Sequence, residues 1–467
     1  MIDSNNREAA TEGRLSSTPA LSEVGIASLQ VEESFDTRQA VNEAKRCLKC
    51  KSPQCVKGCP IGNNIPEFIH QMSKGNFGNA MEVINETSTL PAICGRVCPH
   101  EKQCQGNCVL GKKGMPVQIG KLESFIADYD TLMKFTKEMM PQKTRGKIAV
   151  IGSGPAGLTV AGKLARSGFL VTVFESQQEA GGVLLYGIPA YRLPKKVVRQ
   201  EIEKIQALGV EFKLNSTVGV GQLTVDSIFD EGFDAIFIGT GTAIPKTVDT
   251  PGVDLYGVHQ SIALLHQVTA FNDGLISRRH VPLRNGEHVA IMGCGNVAID
   301  AARTAIRFGT DVTVVSIEGK EAMAASEKEY NEAVSEGVKF LWNTEIVEFV
   351  GDDNNRLCAL RIKHNDEIDI ISIDRIFLAI GSRPANRIVS TTNGIEVDPK
   401  GYVITYDNPY GMTTRKGVFA GGDVVHRPQT VVQAIKAAKE VADSMARYVD
   451  AVKLLLLIDQ LESRNEK

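Results

Sequence analysis

One unit of chain grammar occurs twice in this sequence. "KIAVIGSGPAGLTVAGKLARSGFLVTVFE" (147–175) reads as strand, glycine turn, helix, strand, and "HVAIMGCGNVAIDAARTAIRFGTDVTVVSIE" (288–318) repeats it. A repeated βαβ unit of this kind restricts the chain to an α/β architecture with two nucleotide-binding domains. In the first turn, Gly152 permits the tight bend, Gly154 lets a pyrophosphate approach the backbone, and Gly157 lets the helix pack on the strand. The helix N-terminus then offers free N–H groups to phosphate. Glu175 ends the next strand, 23 residues beyond Gly152, where a carboxylate accepts from a ribose hydroxyl. Gly293, Gly295 and Ala298 repeat the pattern, with Glu318 at the end of the following strand. Two dinucleotides in one chain pair most economically as a flavin and a nicotinamide, one accepting the hydride that the other delivers.

The remaining chemistry lies in front of these units. Of ten cysteines, eight fall between Cys47 and Cys108, while Cys294 and Cys358 stand alone and read as structural. The spacing is C-x2-C-x4-C-x3-C-P (Cys47, Cys50, Cys55, Cys59), then C-x3-C-P-x4-C-x3-C (Cys94, Cys98, Cys104, Cys108). It resembles the ferredoxin pattern, in which the cysteine before proline serves a second cluster. By that logic Cys47, Cys50 and Cys55 share one cluster and Cys59 crosses to another. Zinc favours paired C-x2-C knuckles, and only Cys47/Cys50 has that form. Iron–sulfur is therefore the reading, and neither nucleotide unit offers a redox CxxC as a competing exit for electrons.

Lys+Arg number 52 against 55 for Asp+Glu, which supports neither nucleic-acid binding nor attraction to an anionic membrane. The polar start "MIDSNNREAATEGRLSSTPALSE" has no apolar signal core, and "AVKLLLLI" is too short to span a bilayer. The expectation is a cytoplasmic chain with no membrane contact. The expected divisions are a polar extension (1–35), a helical iron–sulfur domain (36–140), the first part of a flavin domain (141–255), an inserted nicotinamide domain (256–376), and the rest of the flavin domain with a closing helix (377–467).

The span from about 36 to 450 resembles the small subunit of bacterial glutamate synthase. It is also similar to the large subunit of NADH-dependent ferredoxin:NADP oxidoreductase and to the N-terminal half of dihydropyrimidine dehydrogenase. The stretches that carry the likeness are "CLKCKSPQCVKGCPIGNNIPEFI", "ICGRVCPHEKQCQGNCVLG", "VIGSGPAGL", "GGVLLYGIPAYRLPK", "GCGNVAIDAARTAIRFG" and "GVFAGGDVV". The resemblance implies FAD in the first site, a nicotinamide in the second, two 4Fe-4S clusters in the helical domain, and a partner subunit that receives electrons near the clusters. It implies that Cys47, Cys50, Cys55 and Cys108 hold one cluster. Cys59, Cys98, Cys104 and Glu123 of "IGKLESF" would hold the other, with Cys94 as the alternative to Glu123.

Cofactor contacts are expected at Gly152, Ser153, Gly154, Pro155, Ala156, Gly157, Glu175, Gly182, Arg192, Gly422, Asp423, Thr430, Val431, Thr240, Gly241, Gly293, Gly295, Asn296, Val297, Glu318 and Gly381, with FAD at the first glycine turn and the nicotinamide at the second. Hydride transfer requires no acid or base from the protein, so no catalytic side chain is assigned. Relatives carry Tyr-Arg-Arg after the second unit, whereas this chain has Ser316-Ile317-Glu318, which favours NAD(H) over NADP(H). "VVHRPQTVV" after Asp423 is a second departure. An electron-bifurcating subunit and an electron carrier without nicotinamide binding stand as alternatives.

Overall fold

The structure is a computed structural model, and it describes residues 34–136 and 140–465. The expected polar extension falls almost wholly outside these residues. The helical domain begins where Asp36 caps Thr37–Lys45. Its carboxylate accepts from the Gln39 N–H at 2.7 Å while the Gln39 side chain accepts from the Asp36 N–H, a reciprocal capping box. Helices Ile65–Ser73, Phe77–Asn85, Pro91–Val97 and Ile119–Met133 follow. Phe68, Met72, Met81, Ile93, Leu122 and Ile126 recur at helical spacing and meet in one core. Between the helices, short turns carry most of the cysteines.

The first dinucleotide domain is a seven-stranded sheet. Glu211–Lys213, Leu170–Phe174, Lys147–Ile151, Ala235–Ile238 and Val418–Ala420 lie side by side and parallel, and Tyr410–Thr413 and Thr405–Asp407 extend the edge antiparallel. The central strands are apolar throughout ("IAVI", "AIFI"), as strands covered on both faces must be. Strand order reverses between Lys147–Ile151 and Ala235–Ile238. Their carboxyl ends therefore open a crevice, the place where such sheets bind ligands.

The second domain is inserted into the first. Val258–Gln260, Arg375–Leu378, His288–Met292, Asp311–Val315 and Lys339–Leu341 form a parallel five-stranded sheet, beside an antiparallel meander of Thr344–Gly351, Leu357–His364 and Glu367–Ser372. The strand Arg375–Leu378 runs across the expected boundary at 376. Two chain segments link the domains, and Ile244–Pro245 pairs with Ser382–Arg383 where they cross. The closing helix runs from Val431 to Asn465, well past the apolar periodicity that ends near Val449. Among the described residues no helix is long and apolar enough to cross a membrane.

A buried ion network joins the two domains. Arg303, on helix Asn296–Arg307, is fully buried and meets Glu329 at 2.6 Å, Glu332 at 2.7 Å and Glu336 at 2.6 Å. Arg307 shares Glu336, and both guanidiniums lie over the Tyr191 ring at 4.9 and 4.0 Å. Next to Tyr191, Arg192 reaches from the flavin domain to Asp300 at 2.7 Å and Glu329 at 3.0 Å. Removing one partner of a buried pair leaves uncompensated charge. Arg303→Met is expected to cost about 3–5 kcal/mol and to lower the thermal midpoint of the holoprotein. A midpoint equal to that of the wild type counts against buried acids that need their cation.

Candidate dinucleotide and cluster sites

The two glycine turns have the same construction. Gly152 has φ +94° and Gly293 has φ +117°, backbone that side chains rarely adopt. A Cβ on Gly157 would lie 1.9 Å from the Gly152 carbonyl oxygen, so helix and strand meet only without one. The middle glycines differ in kind. A Cβ on Gly154 or on Gly295 would touch nothing within 4 Å. The protein's own packing does not require glycine there. The open space fits a pyrophosphate laid against the backbone, and the helices starting at Pro155 and Asn296 present their first N–H groups to it.

Around the first turn the polar groups interlock. The buried Glu175 carboxylate accepts from the Ser153 N–H at 3.0 Å, the Ser153 hydroxyl at 2.5 Å and the Gln177 N–H at 2.8 Å. The Ser153 hydroxyl accepts in turn from the Gly181 N–H at 2.9 Å. Gly182 brings its loop over the turn, since a Cβ there would come within 2.9 Å of Gly154 Cα. Pro155 and Ala156 open the helix, and Gly422 packs onto Ala156. Thr240 and Gly241 follow strand Ala235–Ile238, and Asp423 follows Val418–Ala420 at the same end of the sheet. Burial raises the Asp423 carboxyl above its ordinary value. Thr430 precedes the closing helix, its N–H donating to Gln433 Oε1 at 3.2 Å, and Val431 is that helix's first residue.

Around the second turn, Asn296 and Val297 begin the helix, and Gly381 follows strand Arg375–Leu378 with φ +92°. Ile317 is 67% exposed, and Glu318 beside it accepts from the Cys294 thiol at 3.3 Å. Arg192, expected at a cofactor, has its guanidinium between Asp300 and Glu329.

The cysteines fall into two groups by mutual influence. Burial raises Cys47, and its neighbours Cys50 and Cys108 raise it further. Burial pushes Cys55 up to about 11, with Cys47 and Cys108 adding to the rise. In the second group burial raises Cys59, and Glu123 and Cys94 act on it. Cys104 is raised by burial, then Glu123 and Cys59. Cys98 is raised first by a hydrogen bond with Cys94, then by burial, with Glu123 and Cys104 also acting. Burial pushes Glu123 up to about 8. Thiols and a carboxyl crowded in this way resist ionisation on their own, and a cationic iron–sulfur core reverses that preference. The donor chemistry therefore fits 4Fe-4S ligation. Among the described residues no three His, Cys, Asp or Glu side chains are gathered to hold a single ion.

The second group abuts the flavin domain. Glu123 is influenced by Glu201 of helix Lys195–Ala207, and Cys59 and Cys94 act on Lys439 of the closing helix. The Lys439 ammonium donates to the Thr87 carbonyl, and the Thr89 and Thr159 hydroxyls bond at 3.2 Å. The first group lies near exposed Leu48.

Sequence reasoning missed the partners of Tyr191 and Arg192, which lie more than a hundred positions away. It also missed Lys195, whose buried ammonium donates to the Leu184 carbonyl at 3.1 Å and to that of Ile188. The only signal for it was its place in "YRLPK". Burial pushes Lys195 down to about 7 from an ordinary 10.5. A depressed folded value means the native state sheds its proton where the unfolded chain keeps one. The contribution to stability is full above the unfolded value and is lost as pH falls through the folded one. The stability of the wild type relative to Lys195→Met is expected to rise from pH 7 towards 10.5. Its slope can reach about 1.4 kcal/mol per pH unit. Denaturant titrations across that range check it, and a pH-independent difference counts against a neutral buried amine.

Two nested dinucleotide folds, each with an open middle glycine, behind a helical domain of grouped cysteines define a flavin- and iron–sulfur-dependent pyridine-nucleotide oxidoreductase. Residues 27–135 match the family described as dihydropyrimidine dehydrogenase domain II, 4Fe-4S cluster, and residues 146–438 match the pyridine nucleotide-disulphide oxidoreductases. These matches imply a 4Fe-4S cluster and FAD. The chain is 32% identical to the glutamate synthase (NADPH) small chain of Escherichia coli, covering 90% of this chain and 94% of that one. It is 34% identical to the NAD-dependent dihydropyrimidine dehydrogenase subunit PreT homolog of Salmonella typhi, covering 90% and 97%. Lactococcus lactis thioredoxin reductase (FR conformation) shares the fold, with a TM-score of 0.50 at 23% identity over 65% of this chain and 99% of that one. The chain belongs to the glutamate synthase small-chain family of oxidoreductases.

Proposed function

We propose that this chain is an electron-transfer subunit that oxidises NADH and passes electrons through FAD and two 4Fe-4S clusters to a partner subunit. When bound, FAD takes up the hydride and the clusters carry single electrons onward. The observation that carries the reading is the division of the cysteines into two groups. Cys59, Cys98, Cys104 and Glu123, with Cys94 among them, act on one another and border Glu201 and Lys439 of flavin-domain helices, while Cys47, Cys50, Cys55 and Cys108 act on one another. The Cys59 group would receive electrons from the flavin side. The Cys47 group would release them towards a partner docked near Leu48, Lys49 and Lys51, which are not buried. Glutamate synthase small chains and a dehydrogenase subunit among the relatives are named as parts of larger enzymes, which supports a partner.

Anaerobically purified protein is expected to hold about eight iron and eight labile sulfide per chain. Glu123→Ala is expected to degrade one cluster signal in electron paramagnetic resonance and to spare the other. Stoichiometric zinc without sulfide would sink the proposal. Selective damage by Cys94→Ala instead would replace Glu123 with Cys94 as the ligand.

The nicotinamide preference rests on charge. Arg suits a 2′-phosphate because its fork makes paired charged bonds. Ile317 offers no donor, and Glu318 repels phosphate yet accepts from a bare 2′-hydroxyl. The nearby cations are engaged elsewhere: Arg303 and Arg307 by Glu336, and Lys320 over the Tyr330 ring at 4.4 Å. One missing charged hydrogen bond costs roughly 1.5–3 kcal/mol, or about tenfold to over a hundredfold in affinity. kcat/KM with an artificial acceptor is expected to favour NADH by that margin. The Ile317→Arg/Glu318→Arg double variant is expected to gain NADPH activity. A wild-type preference for NADPH overturns the assignment.

A further inference from the structure

A cleft of about 720 Å³ lies where the two linkers cross, and none of its lining residues belongs to the two glycine turns, the terminal acids or the cysteine groups. Its walls come from four separate stretches: Lys246 beside the first linker strand, Arg383 and Asn386 at the second, Lys400 and Tyr402 from one flavin-domain loop, and Arg427 from another. Four of the nine lining residues are cationic and none is acidic. Among the described residues, Lys246, Arg383, Lys400 and Arg427 have no carboxylate partner. Asp398, on the loop that carries Lys400, is turned onto its own backbone, accepting from the N–H groups of Lys400 at 2.8 Å and Tyr402 at 2.9 Å.

Four like charges brought together without counter-charge repel one another, and a cleft concentrates their field on whatever enters it. The volume lies in the range of about 300–1,000 Å³ that holds a small organic ligand, well beyond a single inorganic ion. Arginine forks match the paired oxygens of phosphate and carboxylate, and Tyr402 with Pro399 and Pro428 supplies apolar wall.

We propose that this cleft binds a small polyanion, a molecule with two or more phosphate or carboxylate groups, which ties both linkers to the flavin-domain loops and so regulates flavin reduction. The linkers are the covalent route between the domains. A ligand held by Lys246 and Arg383 on one side and by Lys400 and Arg427 on the other opposes movement of the nicotinamide domain. The site stands apart from the choice between NADH and NADPH.

The test uses the flavin- and cluster-loaded protein. Pyrophosphate and citrate are titrated separately by calorimetry at low ionic strength, with and without saturating NAD+, and flavin reduction is followed by stopped flow. The result expected is saturable binding of at least one probe, weakened by salt and retained with NAD+ present, together with a changed rate of flavin reduction. Pyrophosphate alone assigns a phosphate ligand, and citrate alone a carboxylate ligand. Lys400→Gln/Arg427→Gln is expected to weaken binding about tenfold or more and to abolish the rate effect, with flavin content and cluster absorbance unchanged. Lys246→Gln serves as the second variant should the double one lose flavin. Absence of binding by both probes overturns the proposal, as does binding unaffected by these variants. Binding lost when NAD+ saturates overturns it by placing the cleft within the nicotinamide site. Binding without any change in rate overturns the regulatory role.

Discussion

Hydride transfer between two bound dinucleotides demands that two separately folded domains hold one relative setting, and two linkers do not fix it. The salt-bridged contact of Arg192 with Asp300 and Glu329 does more. Arg192 stands on a flavin-domain loop, and Asp300 stands one turn inside the helix that begins at the second glycine turn. The contact therefore positions the helix that follows the second glycine turn, rather than some remote surface. Arg303, completely buried under three carboxylates, keeps those partners in place, and Tyr191 provides the face on which both arginines of that helix rest. Such a network adds little to stability compared with apolar packing. Its value lies in direction: charges that must be paired allow fewer arrangements than a greasy interface.

The helical domain is fixed to this pair by a different means. Its second cysteine group is bordered by Glu201 and Lys439, on two helices that also pack against the first glycine helix. Lys439 donates to the Thr87 carbonyl, so one side chain links the closing helix, the helical domain and the neighbourhood of Cys59 and Cys94. The helix that completes the flavin fold is thus also the wall behind the second cysteine group. Loss of that wall would disturb both sites together.

What was legible in the sequence follows from how local each requirement is. The glycine turns are dictated by backbone conformation and by contacts a Cβ would violate, all within a few residues, so Gly152, Gly157 and Gly293 were readable directly. Glu175 directly follows its strand, whereas Glu318 lies three residues beyond Val315, where its strand ends. The linking strands were not readable, because Ile244–Pro245 and Ser382–Arg383 are too short to show a period and acquire meaning only from each other. The closing helix looked complete near Val449 because its buried stripe ends there. It continues to Asn465 with Leu454, Leu455, Leu456 and Leu457 exposed, because residues 450–465 hold no glycine or proline to stop it. Arg192 shows the opposite limit. It is expected at a cofactor, and nothing nearby in the chain announces the two carboxylates of the second domain that pair with it.

That competition for arginine bears on cofactor choice. A 2′-phosphate site needs a guanidinium free of carboxylates near the end of the strand Asp311–Val315. The helix facing that strand carries Arg303 and Arg307, and both are drawn towards Glu336 on the opposite side. Freeing either for a phosphate would unpair acids in a buried network, a cost comparable with the benefit of binding the phosphate. The ion network between the domains therefore also engages both arginines of the helix that follows the second glycine turn. Under the NADH assignment proposed for Ile317 and Glu318, domain placement and nucleotide preference would be coupled, and a change that loosened the clasp would relax both.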